Sequence, residues 1–399
     1  MRGRTLIVLA ALLAVLLGWN YLRPAPAVAA SLSLPPTAAI AGSPPTLPWP
    51  ALGSAAVGVS GLGFIASSGN DQVLPTASIA KVMTALVIIA DKPLAGEGGA
   101  TLTMTDQDVQ TYQADKADQQ SVVEVRAGER LSEFQALEAM LIPSGNNIAE
   151  TLARWDAGSI PAFVVRMNKR AKDLGMAKTK FADPAGLSTE SVSTPSDLVS
   201  LGFAAMRQPV IAAIVKLPQA QIPVAGVVYN VDYVLGRDGI IGIKTGSGLN
   251  LGANFLFAAA ITVSGRPVTL FGCVMGQPTL AAAFSAAEAL ITAMAAAVTI
   301  KQVLAKHQAV GGYDSAWGEH ADVVSTVDVN LVEWPGMTVR QRLDAPALAV
   351  DKPVPPDSPA GTLHIDLGDY KLDVPLVTAS SLYPAGRLWR VTRLPWSNS

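Results

Sequence analysis

The stretch Ser78-Ile79-Ala80-Lys81-Val82-Met83-Thr84-Ala85-Leu86-Val87-Ile88-Ile89-Ala90 decides how this chain is built. It is apolar on every side beyond its first turn, the pattern of a helix buried in the middle of a domain. The turn Leu74-Pro75-Thr76-Ala77 precedes it and Lys92-Pro93 stops it. At spacing i, i+3, Ser78 and Lys81 share one helical face. The Ser78 hydroxyl sits at a helix N-terminus, where free backbone N–H groups favour developing negative charge. Apolar Val82, Met83, Ala85 and Leu86 flank Lys81 and disfavour its charged form, which moves the amine toward use as a base. A plainer alternative is that Ser78 caps the helix and Lys81 is solvated. The Ser-x-x-Lys tetrad is weak evidence alone, although it occurs only once here.

Outward from this helix, residues 51–300 mix strands and helices. Residues 55–66 read as a Gly-rich strand and Ser68-Gly69-Asn70-Asp71 as a hairpin turn. Helices are expected at 131–140 and 148–155, around the break Pro143-Ser144-Gly145, and at 163–174, closed by Gly175. Successive strands at 240–244, 253–263 and 267–275 precede an Ala-rich helix at 280–297. That order predicts an α+β layer arrangement and not regular βαβ winding. Beyond residue 301, short alternating segments at 323–332, 338–347, 361–367, 370–377 and 388–394 predict a small C-terminal all-β domain.

At the other end, Arg2 and Arg4 precede an uncharged run from 5 to 22. Residues 1–23 read either as a signal peptide with a small-residue exit at Ala27-Val28-Ala29, or as an uncleaved anchor with Trp19 and Tyr21 at the interface. Both readings export the remainder of the chain. Residues 24–50, rich in Pro, Ala, Ser and Thr, read as an extended linker without a core.

Composition narrows the chemistry. Net charge is −2 over 399 residues, with no run of Lys or Arg, so nucleic acid is not an expected partner. The three histidines, His307, His320 and His364, all lie in the last quarter, which excludes a Ser-His-Asp triad in the first three hundred residues. No cluster of His, Cys and carboxylates has metal spacing, so neither metal nor other cofactor is expected. The lone Cys273, in the run Leu270-Phe271-Gly272-Cys273-Val274-Met275, reads as a buried strand residue. Nucleophilic chemistry here therefore needs Lys or a carboxylate as base.

Two further motifs bear on it. Ser144-Gly145-Asn146 falls at a helix break, where Ser144 and Asn146 can project from one tight turn; capping of the next helix is the plainer role for Ser144. Ser68-Gly69-Asn70 repeats these letters but falls in the expected turn. Lys244-Thr245-Gly246 ends a strand, where Gly246 permits close approach of a substrate backbone and an extended peptide can pair. A surface Lys before the turn at 246–248 is the alternative.

In order, Ser-x-x-Lys, Ser-x-Asn and Lys-Thr-Gly form the pattern of penicillin-binding proteins and class A β-lactamases. The chain resembles, more narrowly, the low-molecular-mass D-alanyl-D-alanine carboxypeptidases, peptidase family S11. The resemblance extends to residues 77–85, Phe163-Val164-Val165-Arg166-Met167-Asn168, Leu174-Gly175-Met176, residues 181–187 and Asp238 to Gly246. It covers roughly residues 51–300 and continues more weakly into the β domain at residues 360–365.

The resemblance implies a β-lactamase/transpeptidase-like domain, an antiparallel sheet with helices, succeeded by a small β-sandwich-like domain. It implies Ser78 as nucleophile, Lys81 as base and Ser144 as proton relay. Asn146 would orient the substrate amide and Lys81; Lys244 would supply positive potential and hold Ser144; Thr245 would bond the terminal carboxylate. Gly246 would line the substrate, and the backbone N–H groups of Ser78 and Ser247 would form the oxyanion hole. Peptidoglycan stem peptides ending in D-Ala-D-Ala are the implied substrate and β-lactams the covalent inhibitors. Location is extracytoplasmic, with membrane contact through the N-terminal segment if uncleaved.

Two features depart from the family. Residues 277–290 contain no Arg or Lys, where the best-known members place a carboxylate-binding Arg. Residues 382–399 lack the family's amphipathic C-terminal helix. The alternatives are a β-lactamase, for which the 181–196 loop offers only Glu190, and a non-catalytic peptidoglycan-binding module.

Overall fold

The computed structural model describes residues 2–69, 71–94 and 98–393. These form two compact units, one of residues 45–299 and one of residues 1–44 with 300–399.

The 45–299 unit is organised by a five-stranded antiparallel sheet. Its order is Ile240–Gly248, Gly252–Val263, Arg266–Gln277, Ser54–Val59, Gly63–Ser67. The strand carrying Lys244 is therefore an edge, with one side free of sheet partners. The expected single strand at 55–66 is itself a hairpin, turning at Gly61 and Gly63, both at positive φ. The hairpin turn predicted at 68–71 thus comes earlier; Asn70 lies outside the described residues. Ser68 of the rejected repeat bonds Ser54 Oγ at 3.1 Å and accepts from Ala55 N at 2.8 Å, a structural role.

The Ser78 helix starts as one 3-10 turn, Ala77–Ile79, before the α-helix Ala80–Asp91. Ala80 to Ile88 are all buried, as an all-round apolar helix must be. Around it pack Glu133–Leu141, Asn146–Ala157, Ile160–Asp173 and Pro195–Met206, whose buried residues join it in one core. Leu280–Ala297 comes after the last strand at the expected bounds. One helix had no apolar stripe to announce it: Asp106–Ala117 is held at its start by a capping box between Thr105 and Asp108. The buried Asp108 carboxylate also accepts from Thr151 Oγ1 and Arg154 Nη2, tying this helix to the next motif's helix.

The other unit contains a seven-stranded sheet whose edges overturn the expected linker. Ala30–Leu32 pairs with Ala309–Asp314 at one edge, and Thr37–Ala39 with Thr338–Asp344 at the other. Residues 24–50 read as a spacer because their composition is low in charge and rich in Pro. Strand pairing uses backbone groups, which composition does not register. The predicted 323–332 strand is two, His320–Ser325 and Val329–Glu333. The segment expected as a strand at 388–394 is instead a short helix, Arg387–Thr392; Leu394 lies outside the described residues.

Gly311 marks how closely the N-terminal strand is held: a Cβ there would lie 2.1 Å from the Ser31 carbonyl oxygen. Gly311→Val should expel the 30–32 strand. The expected loss is about 1–3 kcal/mol, read by calorimetry as a melting point lowered by roughly 5–20 °C.

Candidate active site

Three elements converge on the turn at residues 76–78. Ser78 lies in the 3-10 turn and Lys81 in the first turn of the α-helix that continues it, and at spacing i, i+3 the two side chains are neighbours on one face. Lys81 Nζ donates to Ser78 Oγ at 2.8 Å and to the Ala185 carbonyl oxygen at 2.9 Å. Ser78 makes no capping bond, which disposes of the plainer reading. Lys81 is fully buried. Burial pushes its pKa well below the ordinary lysine value, Lys244 pushes the same way, and Asp183 and Asp115 oppose them. An amine whose burial favours its neutral form thus lies against the hydroxyl.

The Ala185 carbonyl is held in place by a carboxylate. Asp183 accepts from the backbone N–H of Ala185, Gly186, Leu187 and Ser188 and from Ser191 Oγ. Thr84 Oγ1 donates to Pro184 O at 2.7 Å, pinning the same loop to the Ser78 helix. Gly186, at φ +77°, passes so close that a Cβ would lie 1.8 Å from Ala77 O. Ala77 itself has φ 47°, a left-handed conformation costly for a residue with a side chain.

The edge strand comes from the other side. A Cβ on Gly246 would lie 3.0 Å from both Ser78 N and Thr76 O, so the strand lies against the backbone of the 76–78 turn. Asn254, on the neighbouring strand, fastens the pair: its Nδ2 donates to Pro75 O at 2.9 Å and Thr76 O at 3.3 Å, while Oδ1 accepts from Gly276 N at 2.8 Å. Lys244 and Thr245 are buried and Ser247 is exposed, as the burial pattern along Ile240–Gly248 runs. Lys244 Nζ donates to Thr245 O at 3.1 Å, in place of the expected hold on Ser144. Burial lowers the Lys244 pKa to about 7, against the opposing charge of Asp232. Asp232 is itself raised to about 6 by burial.

Ser144 and Asn146 occupy the break between Glu133–Leu141 and Asn146–Ala157. Ser144 is buried at φ 67° and does not cap; Gly145 holds the cap position. Asn146 N donates to Ser121 O at 2.8 Å and its Nδ2 to Gln120 Oε1 at 2.9 Å. Its Oδ1 is buried without a hydrogen-bond partner. Asn147 brackets Val123, accepting from its N–H at 3.0 Å and donating to its carbonyl at 2.8 Å. Asp115, raised to about 6 chiefly by burial, sits just before this segment, and its charge and that of Lys81 act on each other. Asn146 therefore reaches the 120–123 segment and not Lys81, whose orienting partner is Ala185.

The first and third motifs meet at the Ser78 backbone, while Asn146 of the second bonds residues 120 and 121. Sequence reading missed Asp183, Asn254, Asp115 and Asp232 as supports. Asn254 did carry a signal, a lone amide inside the apolar strand Ala253-Asn254-Phe255-Leu256-Phe257. Cys273 is buried as expected, with its thiol pKa pushed up by burial.

Residues 62–279 match the family model of peptidase S11, D-alanyl-D-alanine carboxypeptidase. A D-alanyl-D-alanine endopeptidase of Escherichia coli is 30% identical over 212 residues, 52% of this chain and 65% of that protein. The D-alanyl-D-alanine carboxypeptidase DacB2 of Mycobacterium tuberculosis is 35% identical over 205 residues, 48% of this chain and 65% of that one. The matches thus span a little under two thirds of these relatives' length. The crystal structure of the Streptomyces K15 DD-transpeptidase superposes with a TM-score of 0.55 at 26% identity, covering 63% of this chain and 98% of that one.

Asn254→Ala would leave Pro75 O, Thr76 O and Gly276 N without their buried partner. The expected cost is about 2–4 kcal/mol in denaturant unfolding.

Proposed function

This chain belongs to the D-alanyl-D-alanine carboxypeptidase family, peptidase S11, and from that premise we propose that it is a serine peptidase removing the terminal D-Ala from peptidoglycan stem peptides. The observation that carries the reading is the 2.8 Å contact between Ser78 Oγ and a lysine amine buried from water. Neutral Lys81 takes the Ser78 proton as Oγ bonds to the penultimate D-Ala carbonyl carbon. Backbone N–H groups of Ser78 and Ser247 meet the oxyanion. The C–N bond then breaks, Ser144 relays a proton to the departing D-Ala amine, and water hydrolyses the ester.

The substrate lies along the free edge of Ile240–Gly248, where Gly246 leaves room beside Ser78. Thr245 and charged Lys244 take the terminal carboxylate. The unpartnered Asn146 Oδ1 is an acceptor for a substrate amide N–H, the orienting role proposed for this residue. β-Lactams acylate the same hydroxyl. The reaction takes place outside the cytoplasm, with the N-terminal apolar helix as the export segment.

A β-lactamase finds little support. Glu190, the glutamate on the 181–196 loop, is exposed and paired with Lys180 at 2.8 Å, a solvated ion pair and not a held water's base. A second peptidase reading does have an observation in its favour. No cation lies in residues 277–290, and the Gln277 amide is engaged with Leu52 O at 2.6 Å. A site with little positive charge for a free carboxylate suits a scissile bond inside a cross-link, and endopeptidase is the name of the Escherichia coli relative. Parallel incubation with a D-Ala-D-Ala pentapeptide and with cross-linked muropeptides separates the two by which product appears.

Ser78→Ala should abolish covalent labelling by a fluorescent penicillin and release of D-Ala, with the fold retained by circular dichroism. Persistent labelling would place the nucleophile elsewhere.

Lys81 works neutral and Lys244 works charged, so pH acts on them in opposite senses. Turnover of a D-Ala-D-Ala peptide should rise with pH as Lys81 loses its proton. Carboxylate capture should weaken above about pH 7 as Lys244 loses its own. The profile of kcat/KM is then bell-shaped, and Lys244→Arg, charged throughout, should remove the descending limb while keeping the ascending one.

A further inference from the structure

Helix Arg2–Leu22 leads into a junction that the far end of the chain takes hold of. Arg393 is 6% exposed. Its guanidinium donates to the Asn20 carbonyl from Nη2 at 2.8 Å and Nε at 3.3 Å, to Pro24 O from Nη1 at 3.0 Å, and to Arg23 O. In return Asn20 Nδ2 donates to Arg393 O at 2.8 Å. The last carbonyls of a helix lack intrahelical partners and carry the negative end of its dipole, so a guanidinium there is favourable on both counts. Trp389 packs over Arg393 with its ring centroid at 5.1 Å, and Trp317 meets Trp389 edge-on at 5.5 Å. Trp317 Nε1 donates to Tyr383 O and Trp389 Nε1 to Ala316 O, so the aromatic pair is locked in turn.

The candidate cleavage exit is equally occupied. Val28 is 3% exposed and exchanges two backbone bonds with Leu348, at 2.9 and 2.8 Å, and residue 30 already lies in the sheet opposite Tyr313. A cleaved leader would leave the donors of Arg393 with no carbonyls to meet.

We propose that residues 2–22 are a retained membrane-spanning anchor whose outer end is clasped by the C-terminal segment 383–393 at the bilayer surface. The span Arg4–Leu22 has 19 residues with mean hydropathy 2.1 and is almost wholly unburied. At about 1.5 Å per residue that is about 28 Å, close to the roughly 30 Å of a bilayer core. A signal-peptide apolar region is shorter, about 7–15 residues. Leu6, Ile7, Val8 and Leu9 are all exposed, and four consecutive helical positions go right round the helix, as lipid and not a protein groove requires. At the outer end exposed Trp19 and Tyr21 stand with Leu388, 77% exposed, beside Arg387 and Arg390. Amphipathic rings and guanidinium groups at this level fit the headgroup region of anionic phospholipid.

The test uses the full chain expressed with its own N-terminus and then reconstituted in phosphatidylcholine–phosphatidylglycerol vesicles. Intact mass should retain residues 2–29, and the protein should stay in the membrane pellet after alkaline carbonate washing. Limited proteolysis between residues 22 and 29 should be at least tenfold faster in Arg393→Gln and in Asn20→Ala than in the parent. A chain beginning between residues 23 and 30, or release by carbonate, overturns retention. Equal proteolysis in parent and both variants overturns the clasp. Neither outcome bears on penicillin labelling of Ser78, which tests the peptidase reading separately.

Discussion

A lysine amine fully buried beside a hydroxyl is the constraint around which the 45–299 unit is arranged. Burial alone would leave Lys81 with no partner for its N–H groups, and a buried polar group without one is costly. The fold supplies the carbonyl of Ala185, and the surrounding contacts serve to place that carbonyl. The Asp183 carboxylate gathers the backbone N–H groups of its own loop, Thr84 ties the loop to the helix, and Gly186 removes the side chain that would collide with Ala77. Asp183 thus acts twice. It shapes the loop, and its charge partly offsets the depression of the Lys81 pKa.

The second lysine explains why the site needs several buried carboxylates. Lys81 and Lys244 repel one another, which favours loss of a proton from whichever is more deeply desolvated. Asp232 acts on Lys244, and Asp115, after Asp183, on Lys81, so each amine also feels a buried carboxylate at longer range. Neither carboxylate forms an ion pair with its lysine. A direct pair would hold the lysine charged and unable to act as a base, whereas a distant charge only moderates the shift. That division matches the roles proposed for the two amines, one neutral and one charged.

The sequence carried the helix at residue 78, the strands beyond residue 240 and the helix at 280, because each has strong apolar periodicity and clear stops. It also put forward the groups proposed to react, since Ser78, Lys81, Ser144, Asn146 and Lys244 fall in local patterns whose order is informative. What it did not carry were partners set by tertiary contact. Asn146 meets Gln120 and not Lys81, Lys244 meets its own neighbour's carbonyl and not Ser144, and helix Asp106–Ala117 owes its start to a cap and not to a stripe. The strands at 30–32 and 37–39 were hidden for a related reason. Three residues of low-complexity sequence have no period to detect, yet the backbone groups they offer are enough to close a sheet edge.

Those two short strands also constrain how the second unit is assembled. Ala30 and Thr37 find their partners near residues 313 and 340, so neither edge of the sheet can close until nearly the whole chain is present. Closing such long loops is entropically unfavourable and comes late. Until then the strands at 30–32 and 37–39 have no sheet partners, and the bonds from Arg393 cannot form. On the anchor proposed above, the apolar helix has to hold its position by hydrophobic length alone during export, and the clasp can act only afterwards, as a lock on a geometry already reached. This ordering accounts for the presence of both devices at one junction: a span too long for a leader's apolar region, and a guanidinium near the other end of the chain that closes on its final carbonyls.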